Sequence, residues 1–503
     1  MKEKYPVSRR DFIKLTALAA AGTILLPPGY AYSAKPPAPL MRKFGKTNHM
    51  VTTLGLGGQG SIQWAPDDVD PSSIILKAFE LGINFFDTSN MYGPSQTNYN
   101  AAFRKLNLIP GANQYNKKLR DSIFLTSKTL MRWGKPGWKE IENVRNSSNG
   151  ESVQCAVGDL KRALSQIFGD GKGHYFEGAY LDFMLIHSIT SFEEVDVLYQ
   201  GLEAPLNPDE NLGAQVALRD FRDGTNVTGT NPKKEKLINH LGFSGHNNPP
   251  AMIDMIQRDE FNLLEAMLVS LNSNDKLYFN MQNNVLPVAR AKGLGIIGMK
   301  VFADAVMYGK EARFSKTPAD VFRKVGTPDL PSKDLIEYVL TSPNIDTLII
   351  GIGNIEDDPL KCQLTQNYYA SQIEPNTLSK EECLRIEEKT ARIKAGRTNY
   401  FQLDKNGLSS PRDVRMETVG EKTRITWQTA YAADVPISHY EVLLNGEKIG
   451  KIKHQPQILK SEPFVFDTAK ITDTDIAVRT VDENGERSYV SPKGTTANIN
   501  SSN

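Results

Sequence analysis

Short apolar runs, each the length of one strand, recur eight times along this chain, at residues 51–57, 83–87, 122–127, 180–186, 240–244, 266–271, 295–299 and 347–351. Most are nearly continuous rather than alternating, which marks strands buried on both faces and therefore a parallel sheet. Helical spacing appears between them: Ile74, Ile75, Ala78, Phe79 and Leu81, then Tyr99, Ala102, Phe103 and Leu106, then Met252, Ile253 and Ile256. A strand-helix alternation of this kind over roughly 310 residues predicts an α/β fold, a closed (β/α)8 TIM barrel with its active site on loops at the C-terminal ends of the strands. The loops at 107–120, 132–150 and 202–236 are long and rich in Asn, Gly, Pro and charge, and are expected to shape a substrate cleft.

The pattern changes after about Gly407. Residues 411–418, 422–429, 439–444, 464–468 and 475–481 alternate as short strands, with turn signals at Asn445-Gly446 and Glu483-Asn484-Gly485. A small all-β sandwich over 408–498 follows. The placement of Trp427 and Tyr440 and the closing run 481–488 resembles a fibronectin type III domain, with the two aromatics read as core. Such a domain offers a surface for a glycan or a protein partner. The barrel is assigned to 40–400, after a linker at 34–39.

Residues 1–33 read as a targeting segment. Ser8-Arg9-Arg10-Asp11-Phe12-Ile13-Lys14 is a twin-arginine pattern, followed by an apolar run at 15–26 and the small-x-small site Ala31-Tyr32-Ser33. About a dozen apolar residues fall short of the roughly 20 that span a bilayer. The expectation is export by the twin-arginine machinery, cleavage near Ser33 and a periplasmic location. That route carries folded proteins, so a cofactor would be acquired inside the cell.

Charge narrows the partners: 59 Lys+Arg against 58 Asp+Glu leave +1 over 503 residues. No basic face for nucleic acid is implied, and small molecules are the expected ligands. Cys155, Cys362 and Cys383 lack metal-ligand spacing, so free thiols and no metal site are expected.

Four residues at or just beyond strand ends carry chemistry. Carbonyl reduction needs a hydride donor on one face of the carbonyl, a proton donor near its oxygen and groups that stabilise developing negative charge. Tyr92 can give the proton if a neighbouring cation eases its ionisation. Lys128, at the end of the third run, is that cation; Asp87 can pair with it, and His187 can donate to the carbonyl oxygen. The stretches 83–93, 124–128 and 180–187, standing in order on three strands, resemble the aldo-keto reductase family over about residues 40–394. The resemblance implies Asp87, Tyr92, Lys128 and His187 as the catalytic tetrad, with Tyr92 as general acid-base.

The same resemblance implies a nicotinamide cofactor. Leu241-Gly242-Phe243-Ser244 is similar to the family's fifth-strand end, where a Ser-Asn pair commonly holds the nicotinamide; here Gly245-His246-Asn247 follows, so Ser244 is one contact and His246 or Asn247 a substitute for the other. Asn272 and Lys300 lie where cofactor-facing residues are expected. Gly351, Gly353 and Asn354 belong to a segment similar to the family's adenosine-side loop, after a strand where barrels often bind phosphate. Glu356, Asp357 and Asp358 would disfavour a 2′-phosphate there, so NADP is favoured only slightly over NAD. The G-x-G-x-x-G of Gly55 to Gly60 follows a strand but opens no helix, and is read as a strand-end loop rather than a Rossmann site. The leading reading is thus an exported, nicotinamide-dependent oxidoreductase acting between a carbonyl and an alcohol, on a sugar or polyol, with a tightly held cofactor. The alternative is a non-catalytic exported barrel that binds a glycan or a partner.

Overall fold

The computed structural model describes residues 36–202, 211–471 and 475–492. The predicted signal segment and its cleavage site, part of the third long loop and the end of the predicted sandwich lie outside the described residues. Two short strands, β1 (Met41–Lys43) and β2 (Met50–Thr52), pair antiparallel. Eight more follow: β3 (Leu54–Leu56), β4 (Phe85–Asp87), β5 (Phe124–Thr129), β6 (Leu181–Ile189), β7 (Ile238–Gly245), β8 (Ala266–Ser270), β9 (Gly295–Met299) and β10 (Thr347–Ile350). They close in the order β10-β3-β4-β5-β6-β7-β8-β9, the predicted barrel.

The first predicted run belongs to two sheets. Val51 and Thr52 complete the β1–β2 hairpin, the Thr53 amide donates to Leu40 O, and only Leu54 onward joins the barrel. Apolar periodicity does not register such a change of partner. The hairpin closes one end of the barrel: Phe44 lies edge-on to Phe85, Phe124 and Phe183 at 5.7, 6.1 and 5.4 Å. Lys46 N donates to Gly293 O just before β9, which places this plug at the strands' N-terminal ends. The opposite end is left for chemistry.

Helices cover the outside. Asp70 caps Pro71–Glu80 through the Ser72 amide with Pro71 at the first position, and Asn248 caps Pro249–Gln257 in the same manner. Their inward faces bury Ile74, Ile75 and Ala78, and Met252, Ile253 and Ile256, as the spacing predicts. Strands β5 and β6 run past their predicted ends, so Lys128 and His187 sit within strands rather than after them. Both were excluded from the apolar runs by their polarity, although each finds partners inside the barrel.

Beyond the barrel come β11 (Arg412–Val419), β12 (Lys422–Gln428), β13 (Ile437–Leu444), β14 (Glu447–Lys453), β15 (Phe464–Ala469), β16 (Ile476–Asp482) and β17 (Ser491–Pro492). They form two antiparallel sheets, β11-β12-β15 and β14-β13-β16-β17. Trp427 and Tyr440 are fully buried between them with Ile425, Val442 and Val478. Strand β14 was not foreseen; it is a mostly exposed edge strand whose lysines and Glu447 obscure its alternation, a composition that discourages further pairing.

Asparagines fasten these sheets to the barrel. Asn284 Oδ1 accepts from Ala432 N at 2.8 Å while its Nδ2 donates to Ala432 O at 3.1 Å. Asn280 and Asn283 donate to Ala433 O and Asp434 O at 2.7 and 2.9 Å. Tyr431 is buried edge-on against Phe279 at 5.6 Å.

Candidate active site

At the C-terminal ends of β4, β5 and β6 the chain gathers Asp87, Tyr92, Lys128 and His187. Lys128 Nζ donates to Asp87 Oδ2 at 2.7 Å, to Thr88 O at 2.9 Å and to the Tyr92 hydroxyl at 3.3 Å. The Tyr92 and His187 rings meet edge to face at 5.7 Å, and His187 Nδ1 lies 3.3 Å from Ser89 Oγ. The Lys128 and Asp87 side chains are closed to solvent, whereas Tyr92 and His187 are partly open. Ligand can therefore reach the phenol and the imidazole but not the ion pair beneath them.

Burial governs the charge states. It raises the Asp87 carboxyl and lowers the Lys128 ammonium, and each partner opposes the shift in the other. The Tyr92 phenol is pushed well up by burial, then by the Asp87 and Asp304 charges. The easing expected from Lys128 is outweighed by burial and by these two carboxylates, and Tyr92 stands as a protonated donor. His187 is held neutral by burial and by Lys128, His246, Arg132 and Arg145.

A second layer was missed in the sequence. Arg132 is fully buried; its Nη2 donates to His187 O at 2.8 Å and pairs with Glu194 at 3.2 Å. Arg145 binds the same carboxylate through Nε at 2.9 Å and donates to Ser188 O. Burial pushes Glu194 up, but the two arginines outweigh it and its pKa is lowered. Both arginines belong to the long loop 132–150, and nothing in their local sequence distinguishes them from ordinary charged loop residues.

The model of the aldo/keto reductase family matches residues 53–356, more than half of the 503-residue chain. The chain belongs to the aldo-keto reductase family. No curated protein matches it. Among solved structures, an aldo-keto reductase from Pseudomonas aeruginosa is 19% identical, with a TM-score of 0.39, covering 68% of this chain and 98% of its own. One from Bacillus halodurans, in its holo form, is 15% identical, with a TM-score of 0.41, covering 70% and 96%. Family membership supports an oxidoreductase with a nicotinamide cofactor and a small carbonyl or alcohol as substrate.

In this aldo-keto reductase the predicted cofactor residues divide into two groups. Ser244 is buried on β7 with its Oγ accepting from Ser188 N at 2.8 Å. Asn272 exchanges two 3.0 Å hydrogen bonds with Asn399, donates to Lys300 O and accepts from Asn274 N. Its polar atoms are fully used within the protein. Of the proposed substitutes, His246 lies 3.3 Å from Ser188 Oγ, and Asn247 donates to Phe401 O at 3.3 Å.

Lys300 behaves differently. It follows β9 in a left-handed conformation (φ 59°), with Nζ 3.5 Å from Asp304 Oδ1 and over the Phe314 and Phe401 rings. Beyond β10, Gly353 N donates to Ser61 Oγ at 3.2 Å, Gly351 O accepts from Ser61 N at 3.0 Å, and Asn354 Nδ2 donates to Glu356 at 3.2 Å. Two unforeseen cations flank that loop. Arg323 O accepts from Asn354 N, and its buried Nε has no partner among the described residues; Lys324 pairs with Glu356. The acidic run is thus partly neutralised. Lys300 and Arg323 lie beside β9 and β10, at the position where barrels bind phosphates, with Arg323 held there by Nη2 on Trp64 O and Nη1 on Val321 O.

The glycines of the G-x-G-x-x-G stretch serve packing. A Cβ on Gly58 would stand 2.3 Å from Asp87 O, and one on Gly351 2.1 Å from Gln59 O. The loop after β3 therefore fits between Asp87 and the loop after β10 only without side chains there.

Proposed function

We propose that this aldo-keto reductase interconverts a carbonyl and an alcohol, with Tyr92 as general acid-base and Lys128, Asp87 and His187 completing its site. The observation that carries this reading is Lys128 Nζ touching Asp87 Oδ2 and the Tyr92 hydroxyl together. When bound, the nicotinamide supplies hydride to the carbonyl carbon. Tyr92 gives its proton to the carbonyl oxygen as negative charge develops there. Lys128 then lies beside the new phenolate and stabilises it, while Asp87 keeps the ammonium in place. Neutral His187, whose Nε2 has no partner among the described residues, orients the carbonyl oxygen. A protonated Tyr92 favours reduction over oxidation near neutral pH.

Lys300 and Arg323 would hold the cofactor's phosphates, with NADP preferred to NAD because Lys324 offsets Glu356. The substrate is a sugar or polyol. The N-terminal pattern supports export by the twin-arginine route, cleavage near Ser33 and a periplasmic enzyme that retains its cofactor. The seven-stranded arrangement of β11 to β17 supports a fibronectin type III-like domain able to contact a glycan or protein partner. Mass analysis of what the denatured mature protein releases identifies the cofactor, and NAD(P)H oxidation with carbonyl substrates tests the reaction. Protein that neither binds nor oxidises NAD(P)H overturns this reading.

A further inference from the structure

Arg145 is held in place yet not used up. Its Nε and Nη2 are fixed by Glu194 and Ser188 O, while its side chain is 42% exposed and Nη1 has no partner among the described residues. Glu194 is fully buried and answers both Arg132 and Arg145, so this trio retains one positive charge. That charge stands close to His187, since Arg132 donates to its carbonyl and Arg145 to that of the next residue, Ser188. His187 and His246 both feel it, and as neutral rings they do not add to it.

Topology separates this charge from the cofactor side. In the barrel order, β5, which leads into the loop carrying Arg145, stands diametrically opposite β9, which leads into Lys300. With the β9–β10 side given to the cofactor's phosphates, the cation across the mouth faces the remaining ligand. Its flat guanidinium, braced on one edge and open on another, suits a carboxylate accepted side-on.

We propose that the substrate of this site bears a carboxylate, as in a carboxylated sugar, and that Arg145 binds it. This rests on the proposed function for the reaction and for giving the β9–β10 side to the cofactor. Calorimetric titration of the mature protein with D-glucuronate and D-glucose, and with 4-carboxybenzaldehyde and benzaldehyde, tests it alongside NAD(P)H oxidation with the same compounds. The wild type is expected to prefer the carboxylated member of at least one pair by roughly 10- to 100-fold in affinity, the range of a hydrogen bond to a charged group. Arg145→Met should bring that ratio close to one, and Arg145→Lys should fall between, since an ammonium keeps the charge but not the paired donors. An unchanged melting temperature in both variants excludes a collapsed loop as the cause. Equal affinity within both wild-type pairs, or a preference that survives Arg145→Met, overturns the proposal. Selective binding without any NAD(P)H oxidation would instead overturn the reductase reading and leave the carboxylate site standing.

Discussion

Lys128 Nζ stands 2.7 Å from Asp87 Oδ2, with both side chains essentially closed to water. Neither charge can be removed alone without stranding the other. Lys128→Met should cost about 3–5 kcal/mol in urea unfolding, the penalty of a buried charge left without its partner. The double variant Asp87→Asn/Lys128→Met should recover most of that loss. Equal stability of single and double variants would show that the pair is solvated rather than buried.

Carbonyl reduction should keep its rate from about pH 6.5 to 9, because His187 titrates below that window and Tyr92 above it. A profile of kcat/KM against pH checks this. An inflection near pH 7 that disappears in His187→Gln would show the imidazole ionising, against the neutral role assigned to it. Tyr92→Phe should lower kcat by about 10²–10⁴-fold while cofactor affinity holds.

Asn284 clasps both backbone groups of Ala432. Its replacement by Ala strands a buried N–H and C=O and should destabilise the docking of the sheets by about 1–3 kcal/mol. Differential scanning calorimetry should then resolve two transitions where the wild type gives one. A single, unshifted transition would mean that the asparagine clasp contributes nothing to holding the two parts together.

The His454 ring lies against Phe464 and Tyr440, and burial pushes its pKa down to about 4. In the unfolded chain the value is about 6.5. Above that pH both states are neutral and nothing is lost. As pH falls from about 6.5 to 4 the unfolded chain takes the proton first, so stability drops, by up to about 3 kcal/mol, and then levels off. Melts of His454→Leu across this range should lack that component; parallel curves for variant and wild type would refute it.

The barrel was legible because its strands are buried on both faces and its helices on one, which stamps two different periods on the chain. The apolar runs stop just short of Lys128 and His187 although β5 and β6 continue through them, since polarity ends an apolar run whether or not the strand ends. Asn272 spends its amide on Asn399, a partner 127 residues away that leaves no local trace. Glu194 gathering Arg132 and Arg145, and Arg323 beside Asn354, were invisible for the same reason: such pairs are made by folding and not by spacing.

Asn399 has a wider meaning. The match to the family model ends at residue 356, yet Asn399 completes Asn272, Tyr400 binds Asp304 at 2.8 Å and Gln402 reaches Asp275. The stretch of chain leading to the sheets is therefore knitted to the segments after β8 and β9, and a fragment cut at residue 356 would strip Asn272, Asp304 and Asp275 of these partners.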